Sequence, residues 1–384
     1  MTPDALRDLL ICWCNQNSGS GNFAGLDAMR QLLAAEFSTL PGAVVDSVPL
    51  EGTPAQALHI RIRPNAARQL LLSGHYDTVY EANHPFQSCT LLDPDTLRGP
   101  GVADMKGGLV VMLATLHAFA QSPQANELGF EIILGPDEEI GSQGTEPLLT
   151  AAAKRHRFAL VFEPARNNGD LVKSRKGTGI FTLTVHGRAA HAGRDPAAGR
   201  NAILALCELL PQVDALGRDL PGVMVNIGRI TGGGTVNIVP DLASAEINAR
   251  ITHAGDDHRF IAGLEQVITP LNAREGYHAV ISGRFNRGPK VETPAEAAMF
   301  MEWRKCAGEF GVTLDWQHVG GGSDGNILSS AGLPNLDGLG PVGDGLHSER
   351  EFIRISSLTE RAAIAARFLV KLAGGAINLP SSIP

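Results

Sequence analysis

The sequence predicts an α/β fold: a mixed, mostly parallel sheet covered by helices and interrupted by a smaller inserted α+β domain of ferredoxin-like order. Three observations predict it. Short apolar runs without alternation recur through the first half, as strands buried on both faces require. After about Lys176 the runs alternate apolar with polar, as half-buried strands do. From about Arg287 the first pattern returns. At 384 residues the chain is long for a single core, so two domains are expected, one of 1–176 with 288–384 and one of 177–287.

In order, Gln69–Gly74 is an apolar run that ends at His75, and Gly108–Ala120 is an apolar helical stretch introduced by Lys-Gly-Gly. Phe130–Leu134 reads as a second strand, closed by Gly135-Pro136. Phe158–Phe162 is a third, stopped by Glu163-Pro164 because proline cannot continue a ladder. In the insert, strands are expected at Phe181–His186, Val223–Ile230, Ala243–Ile251 and His278–Phe285. Helices fall at Asn201–Leu210 and Asp257–Ile268, which gives the order β-α-β-β-α-β. Further helices are expected near Pro294–Gly308 and Leu358–Leu372.

Composition narrows the function. Hydrophobic residues make up 43% and charged residues 19%, the profile of a folded soluble protein. A net charge of −8 argues against a nucleic-acid surface, which needs clustered Lys and Arg. No run reaches the roughly 18 apolar residues of a membrane span, and the start lacks a basic and an apolar segment of the secretory kind, so a cytoplasmic protein is expected. The five cysteines form no Cys-x-x-Cys, and Cys12 and Cys14 are expected to be buried packing residues. A metal would therefore take His, Asp and Glu ligands.

Such groups recur where the apolar runs end. His75 and Asp77 follow the first strand, Asp137-Glu138-Glu139 the second, and Glu163 closes the third. Asp104 stands directly before a helix, and His347 follows the apolar stretch near Leu336–Leu339. Taken singly, these are a turn, a solvated helix start and a strand stop. Open α/β sheets gather functional groups at the carboxyl ends of their strands, so together they point to one crevice. Carboxylates crowded there repel one another, and two divalent cations would relieve that repulsion.

The motifs Ser73-Gly-His-Tyr-Asp77, Gly99-Pro-Gly-Val-Ala-Asp-Met-Lys-Gly-Gly108, Pro136-Asp-Glu-Glu-Ile-Gly-Ser142, Phe162-Glu-Pro164 and Gly345-Leu-His-Ser348 resemble a zinc metallopeptidase family. That family holds glutamate carboxypeptidases, acetylornithine deacetylases, succinyl-diaminopimelate desuccinylases and aminoacylases. The likeness spans nearly the whole chain in order, and the glutamate-carboxypeptidase branch looks nearest. Met105 departs from that branch, which often carries a second acid there. The resemblance implies two Zn²⁺ per subunit, with Co²⁺ or Mn²⁺ as substitutes. His75 and Glu163 would bind one ion, Glu139 and His347 the other, and Asp104 would bridge them. It also implies Glu138 as general base and Asp77 as the group that orients His75.

In the insert, His191 of Gly187-Arg-Ala-Ala-His-Ala-Gly193 resembles the family's lid histidine, which steadies the oxyanion in the partner subunit's site. Asn237, in Gly232-Gly-Gly-Thr-Val-Asn237, and Arg250 resemble the pair that holds the substrate carboxylate. Gly321 lies in a glycine loop similar to the one that closes the pocket. The insert would then be a lid and homodimerisation domain. The implied activity is cleavage of an amide bond beside a free amino-acid carboxylate, in a small peptide or an N-acyl amino acid. A deacylase of N-acyl amino acids and a non-catalytic binding protein that retains the fold stand as alternatives.

Overall fold

The structure, a computed structural model, describes residues 1–377, so the end of the expected 288–384 segment lies outside the described residues. The first stretch runs α1 (Pro3–Asn15), α2 (Phe23–Phe37), β1 (Ala43–Pro49), β2 (Gln56–Ile62), β3 (Gln69–His75), β4 (Thr90–Leu91) and β5 (Thr96–Arg98). It continues through α3 (Lys106–Ala120), β6 (Gly129–Gly135), α4 (Glu146–Ala153), β7 (Ala159–Val161) and β8 (Leu171–Arg175). Next come β9 (Gly177–His186), α5 (Ala202–Asp219), β10 (Val223–Gly232), β11 (Leu242–Ile251), α6 (Asp256–Asn272) and β12 (His278–Arg287). The chain closes with α7 (Pro294–Gly308), β13 (Trp316–Val319), α8 (Asp324–Ser330), β14 (Asn335–Asp337), β15 (Gly343–Asp344), β16 (Phe352–Arg354) and α9 (Ser356–Ala373).

Two compact units result. Among the described residues, one comprises Met1–Ser174, Glu292–Val319 and 323–377; the other comprises Arg175–Val291 with Gly320–Gly322. Among the described residues, the first unit holds an eight-stranded sheet of order β1-β2-β6-β3-β7-β14-β8-β13. Its centre, β6-β3-β7-β14, is parallel. On one flank β1 and β2 pair antiparallel, and on the other β8 pairs antiparallel with β14. The expected mixed α/β fold is observed, and its parallel strands are the central ones, buried along nearly all their length.

Local chemistry explains how this unit is held. Thr2 caps α1 by accepting the Ala5 N–H at 3.3 Å, with Pro3 in the first turn. Leu6, Leu10, Trp13 and Cys14 share the buried face of that helix. Cys12 is exposed, contrary to the expectation of two packing cysteines, because it falls between buried positions of the helical repeat. The buried Lys106 begins α3 and donates to the carbonyls of Trp13 (3.0 Å) and Gln16 (2.8 Å) at the end of α1. Gly108 lets α3 press against the end of β7, since a Cβ there would run into the Phe162 carbonyl oxygen. That approach brings the start of α3 beside Glu163.

Glu131 on β6 anchors another part of this unit. Its carboxylate lies 2.8 Å from His59 Nε2, accepts Arg155 Nε at 2.8 Å and is also bonded by Arg155 Nη2. Burial alone would raise its pKa; the hydrogen bonds and the Arg155 charge outweigh burial and hold it down at about 2. The ionised form is thus favoured in the folded state, and its stabilisation is lost as pH falls from the ordinary Glu range through about 2. Glu131→Gln is expected to cost roughly 1–3 kcal/mol at pH 7, with the difference from wild type shrinking below about pH 4. Urea unfolding at several pH values measures it. A pH-independent difference would assign the effect to shape rather than charge.

The second unit is built on a four-stranded antiparallel sheet of order β10-β11-β9-β12. Phe181, Leu183, Val185, Ala245 and Ile247 face a core with Leu206 and Val213 of α5 and Phe260 and Leu264 of α6. Asn201 caps α5 by accepting the Leu204 N–H at 3.1 Å. On β11, Ser244, Glu246, Asn248 and Arg250 occupy the less buried face while Ala243, Ala245, Ile247 and Ala249 are buried. The open edges are β10 and β12.

Candidate functional site

The first unit brings His75, Asp104, Glu139, Glu163 and His347 together, each from a different segment. His75 is the last residue of β3, and Glu163 stands two residues past β7. Glu139 lies on a single 3-10 turn, Glu138–Ile140, after β6. Asp104 precedes α3, and His347 follows β15. The ligand atoms of His75, Asp104 and Glu139 all lie within 4.8 Å of one another. His347 adopts a left-handed φ of +58°, uncommon for a residue with a Cβ and characteristic of functional sites.

Asp104 divides the cluster into two halves. Its Oδ1 lies 3.1 Å from His75 Nε2, and that nitrogen is 3.7 Å from Glu163 Oε1. Its Oδ2 lies 3.3 Å from His347 Nε2, which is 3.1 Å from Glu139 Oε2. One carboxylate therefore faces two separate pairs, each a histidine and a glutamate.

Asp77, fully buried, serves more than the imidazole. His75 Nδ1 sits 3.2 Å from its Oδ1 and 3.1 Å from its backbone carbonyl. The same carboxylate accepts the backbone N–H groups of Glu138 and Glu139, each at 3.1 Å, and the Ser20 hydroxyl at 2.7 Å. It thus ties the β3 end to the turn that presents both glutamates. Glu138 is buried beside Glu139, outside the His75–Asp104–Glu139 group.

The protonation pattern tests whether cations fit. Burial and the neighbouring Asp104 charge push Glu139 up to about 8. Hydrogen bonds to Asp104 and Glu139 push His347 up to about 11. Burial works against a charged His75, yet Asp104, Asp77 and Glu163 raise it well above the usual imidazole value. The cluster therefore draws in protons to offset surplus negative charge, and divalent cations held by the same nitrogen and oxygen donors would offset it in their place. The residues fit a pair of such ions.

A family model, Peptidase family M20/M25/M40, matches residues 71–371. The chain belongs to this family. It is a member of a metallopeptidase family and a hydrolase. It is similar to carboxypeptidase G2 of Pseudomonas sp. (strain RS-16), 29% identical over 375 residues, covering 94% of this chain and 88% of that one. It is also similar to the succinyl-diaminopimelate desuccinylase of Paracidovorax citrulli, at 27% identity over 80% of this chain and 81% of that one. Among solved structures, aminopeptidase PepT from Bacillus cereus shares the fold, with a TM-score of 0.79 at 20% identity, covering 97% and 99% of the two chains.

For the M20 chain's second unit, the candidate residues divide between two ends of one sheet. His191 and Asn237 are exposed on adjoining loops; His191 bridges to Ile238, and the Ala192 N–H donates to the Asn237 carbonyl at 3.0 Å. Those loops follow His186 of β9 and precede Leu242 of β11, which pair with each other. Arg250 pairs with Thr178 at the opposite end, its Nε donating to Asn248 Oδ1 at 3.0 Å. Burial, and then the Arg287 charge, lower the Arg250 pKa. Within one chain the structure does not bring Asn237 and Arg250 together. Gly321 groups with this second unit, where its carbonyl accepts Arg175 Nη1 at 3.3 Å.

The sequence did not disclose Ser20, Tyr80 or Glu351. Ser20 reaches Asp77 across 57 positions. Glu351 accepts the Asp104 N–H at 3.0 Å across 247. Tyr80 meets Glu351 across 271, and none of the three carries a spacing signal of its own.

Proposed function

We propose that this M20 hydrolase is a di-zinc carboxypeptidase of the glutamate-carboxypeptidase type, cleaving the amide bond next to a free amino-acid carboxylate. The observation that carries this reading is Asp104, whose two oxygens face two histidine–glutamate pairs 3.1 and 3.3 Å away. His75 with Glu163 would hold one ion and His347 with Glu139 the other, with Asp104 shared. Bound there, the ions would polarise the scissile carbonyl and make water acidic enough to attack near neutral pH. Glu138 takes the proton of the attacking water and passes it to the leaving nitrogen. Asp77 fixes His75 and holds the Glu138–Glu139 turn so that ligand and base keep separate places.

Arg250 receives the free carboxylate through paired hydrogen bonds, with Asn237 of the partner subunit as a second donor and Gly321 in the loop that closes the pocket. His191 steadies the oxyanion. The insert, 177–287, acts as lid and homodimerisation domain. Its open β10 edge and the exposed Ile230, Val236, Ile238 and Leu242 support a partner there. A cytoplasmic setting is part of the same proposal: the described cysteines are free, and no described helix is long and apolar enough to cross a membrane.

Likeness to a desuccinylase supports one second reading, deacylation of N-acyl amino acids at the same residues. A panel of dipeptides, N-acyl amino acids and their carboxamides, assayed with zinc-reconstituted protein, separates the two. Cleavage of peptides with a free terminal carboxylate is expected to exceed that of the carboxamides. Arg250→Ala should raise KM roughly 10–100-fold for the free acids and leave the carboxamides little changed. Equal cleavage of acids and carboxamides would overturn the carboxylate requirement.

A further inference from the structure

Glu351 is a buried acid with no part in the chemistry described so far. It lies four residues beyond His347, directly before β16, and is 1% exposed. Its Oε1 accepts the backbone N–H of Ala103 at 2.9 Å and of Asp104 at 3.0 Å. Its Oε2 accepts the Gly101 N–H at 3.1 Å and the Tyr80 hydroxyl at 2.9 Å, a hydroxyl that also lies 2.8 Å from the Ser348 carbonyl. The Glu351 carbonyl in turn accepts the Gly99 N–H at 3.2 Å. Three backbone amides converge on one carboxyl group, together with the Tyr80 hydroxyl, whose single proton is shared between Glu351 and the Ser348 carbonyl.

We propose that Glu351 is a positioning residue that locks the loop carrying Asp104 to the segment carrying His347. The inference rests on the reading of Asp104 as the shared metal ligand. Asp104 meets His75 with one oxygen and His347 with the other, so a small rotation of its backbone breaks one half of the cluster. Glu351 removes that freedom by clamping the Asp104 N–H itself, together with two further amides of the same loop. Burying an anion has a high desolvation cost, and a loop needing only a turn has cheaper solutions in backbone pairs. Here the anion is set against the one residue whose orientation both halves share.

The test is metal binding by the full-length apoprotein, by competition with a chromophoric chelator for Zn²⁺ and from the visible spectrum of the Co²⁺ form. Glu351→Gln has one acceptor oxygen and turns an NH₂ toward two donors. It is expected to weaken metal binding roughly 10–100-fold and to alter the Co²⁺ spectrum. Glu296→Gln is the comparison. Glu296 is also a buried carboxylate, accepting the N–H groups of Thr293 at 2.8 Å and Asn335 at 3.2 Å, but it serves the α7 cap. That variant should lose stability and bind metal as wild type does. A folded Glu351→Gln protein with wild-type Zn²⁺ affinity and an unchanged Co²⁺ spectrum would overturn the proposal.

If Glu351→Gln does not fold, Tyr80→Phe removes one donor alone and is expected to weaken binding about 2–5-fold with a shifted spectrum. An unchanged spectrum there would also overturn it. Wild-type protein that binds neither ion would instead overturn the reading of Asp104, so the two failures are told apart.

Discussion

Glu138→Gln should lower kcat by roughly 10²–10⁴-fold while the protein retains its full complement of metal. In free energy that is about 3–5 kcal/mol of lost transition-state stabilisation. Gln has nearly the shape of Glu but is not a base, so the proton of the attacking water has no acceptor. The substitution leaves the backbone N–H of residue 138 on Asp77, a 3.1 Å bond that owes nothing to the side chain. Glu139, His75 and Asp104 keep their places, and Glu139 is the member of the adjacent pair that reaches His347. KM should change little, because the lost interaction is made in the transition state rather than in ground-state binding. Steady-state kinetics with metal analysis of the same preparation measure both halves. Wild-type kcat at full metal occupancy would remove Glu138 from the base role. Loss of metal together with activity would make it a ligand.

Four of the positions that converge in the first unit, His75, Asp104, Glu139 and Glu163, were legible because each borders an element the sequence marks, whereas His347 follows the short β15 and was read from its Gly-Leu-His-Ser motif. His75 ends, and Glu163 and the Asp-Glu-Glu turn follow, strands whose largely apolar runs, interrupted in β6 by Glu131, announce burial on both faces. Asp104 precedes a helix whose Lys-Gly-Gly start is required by contact with the Trp13, Gln16 and Phe162 carbonyls. The antiparallel flank was not legible: β1 is only partly buried and mixes Val with Asp and Ser, so its periodicity is weak. Nor was the small sheet β15-β16-β5-β4, whose short strands carry no pattern. Polar contacts across long separations were the other blind spot. Asp77 is readable as the orienter of a histidine two positions away, whereas its bonds to residues 138 and 139 exist only once β3 and β6 lie side by side. Glu351 is the extreme case, with its Asp104 partner 247 positions away.

Register within the insert sets Asn237 and Arg250 apart. Motif reading treats Asn237 and Arg250 as one carboxylate-binding pair, but Asn237 precedes Leu242, opposite His186, while Arg250 stands opposite Thr178. The strand between Leu242 and Arg250 spans about 26 Å at its usual rise of about 3.3 Å per residue. A single carboxylate cannot touch both ends of one such sheet. If Asn237, His191 and Arg250 all serve one substrate, the first two come from one copy of the chain and Arg250 from another. A two-fold dimer supplies that arrangement twice. His191→Ala should then cost roughly 10²–10³ in kcat, as loss of an oxyanion donor does. Mixed with Glu138→Gln protein, itself nearly inactive, it should regain activity. In a heterodimer one site has an intact Glu138 and His191 of the partner subunit, and the other site carries both lesions. Purified heterodimers, isolated through two different tags, should show about half the wild-type rate per dimer. Heterodimers as inactive as their parents, with metal bound in both chains, would place His191 in its own chain's site, and a His191→Ala homodimer with wild-type kcat would remove it from catalysis.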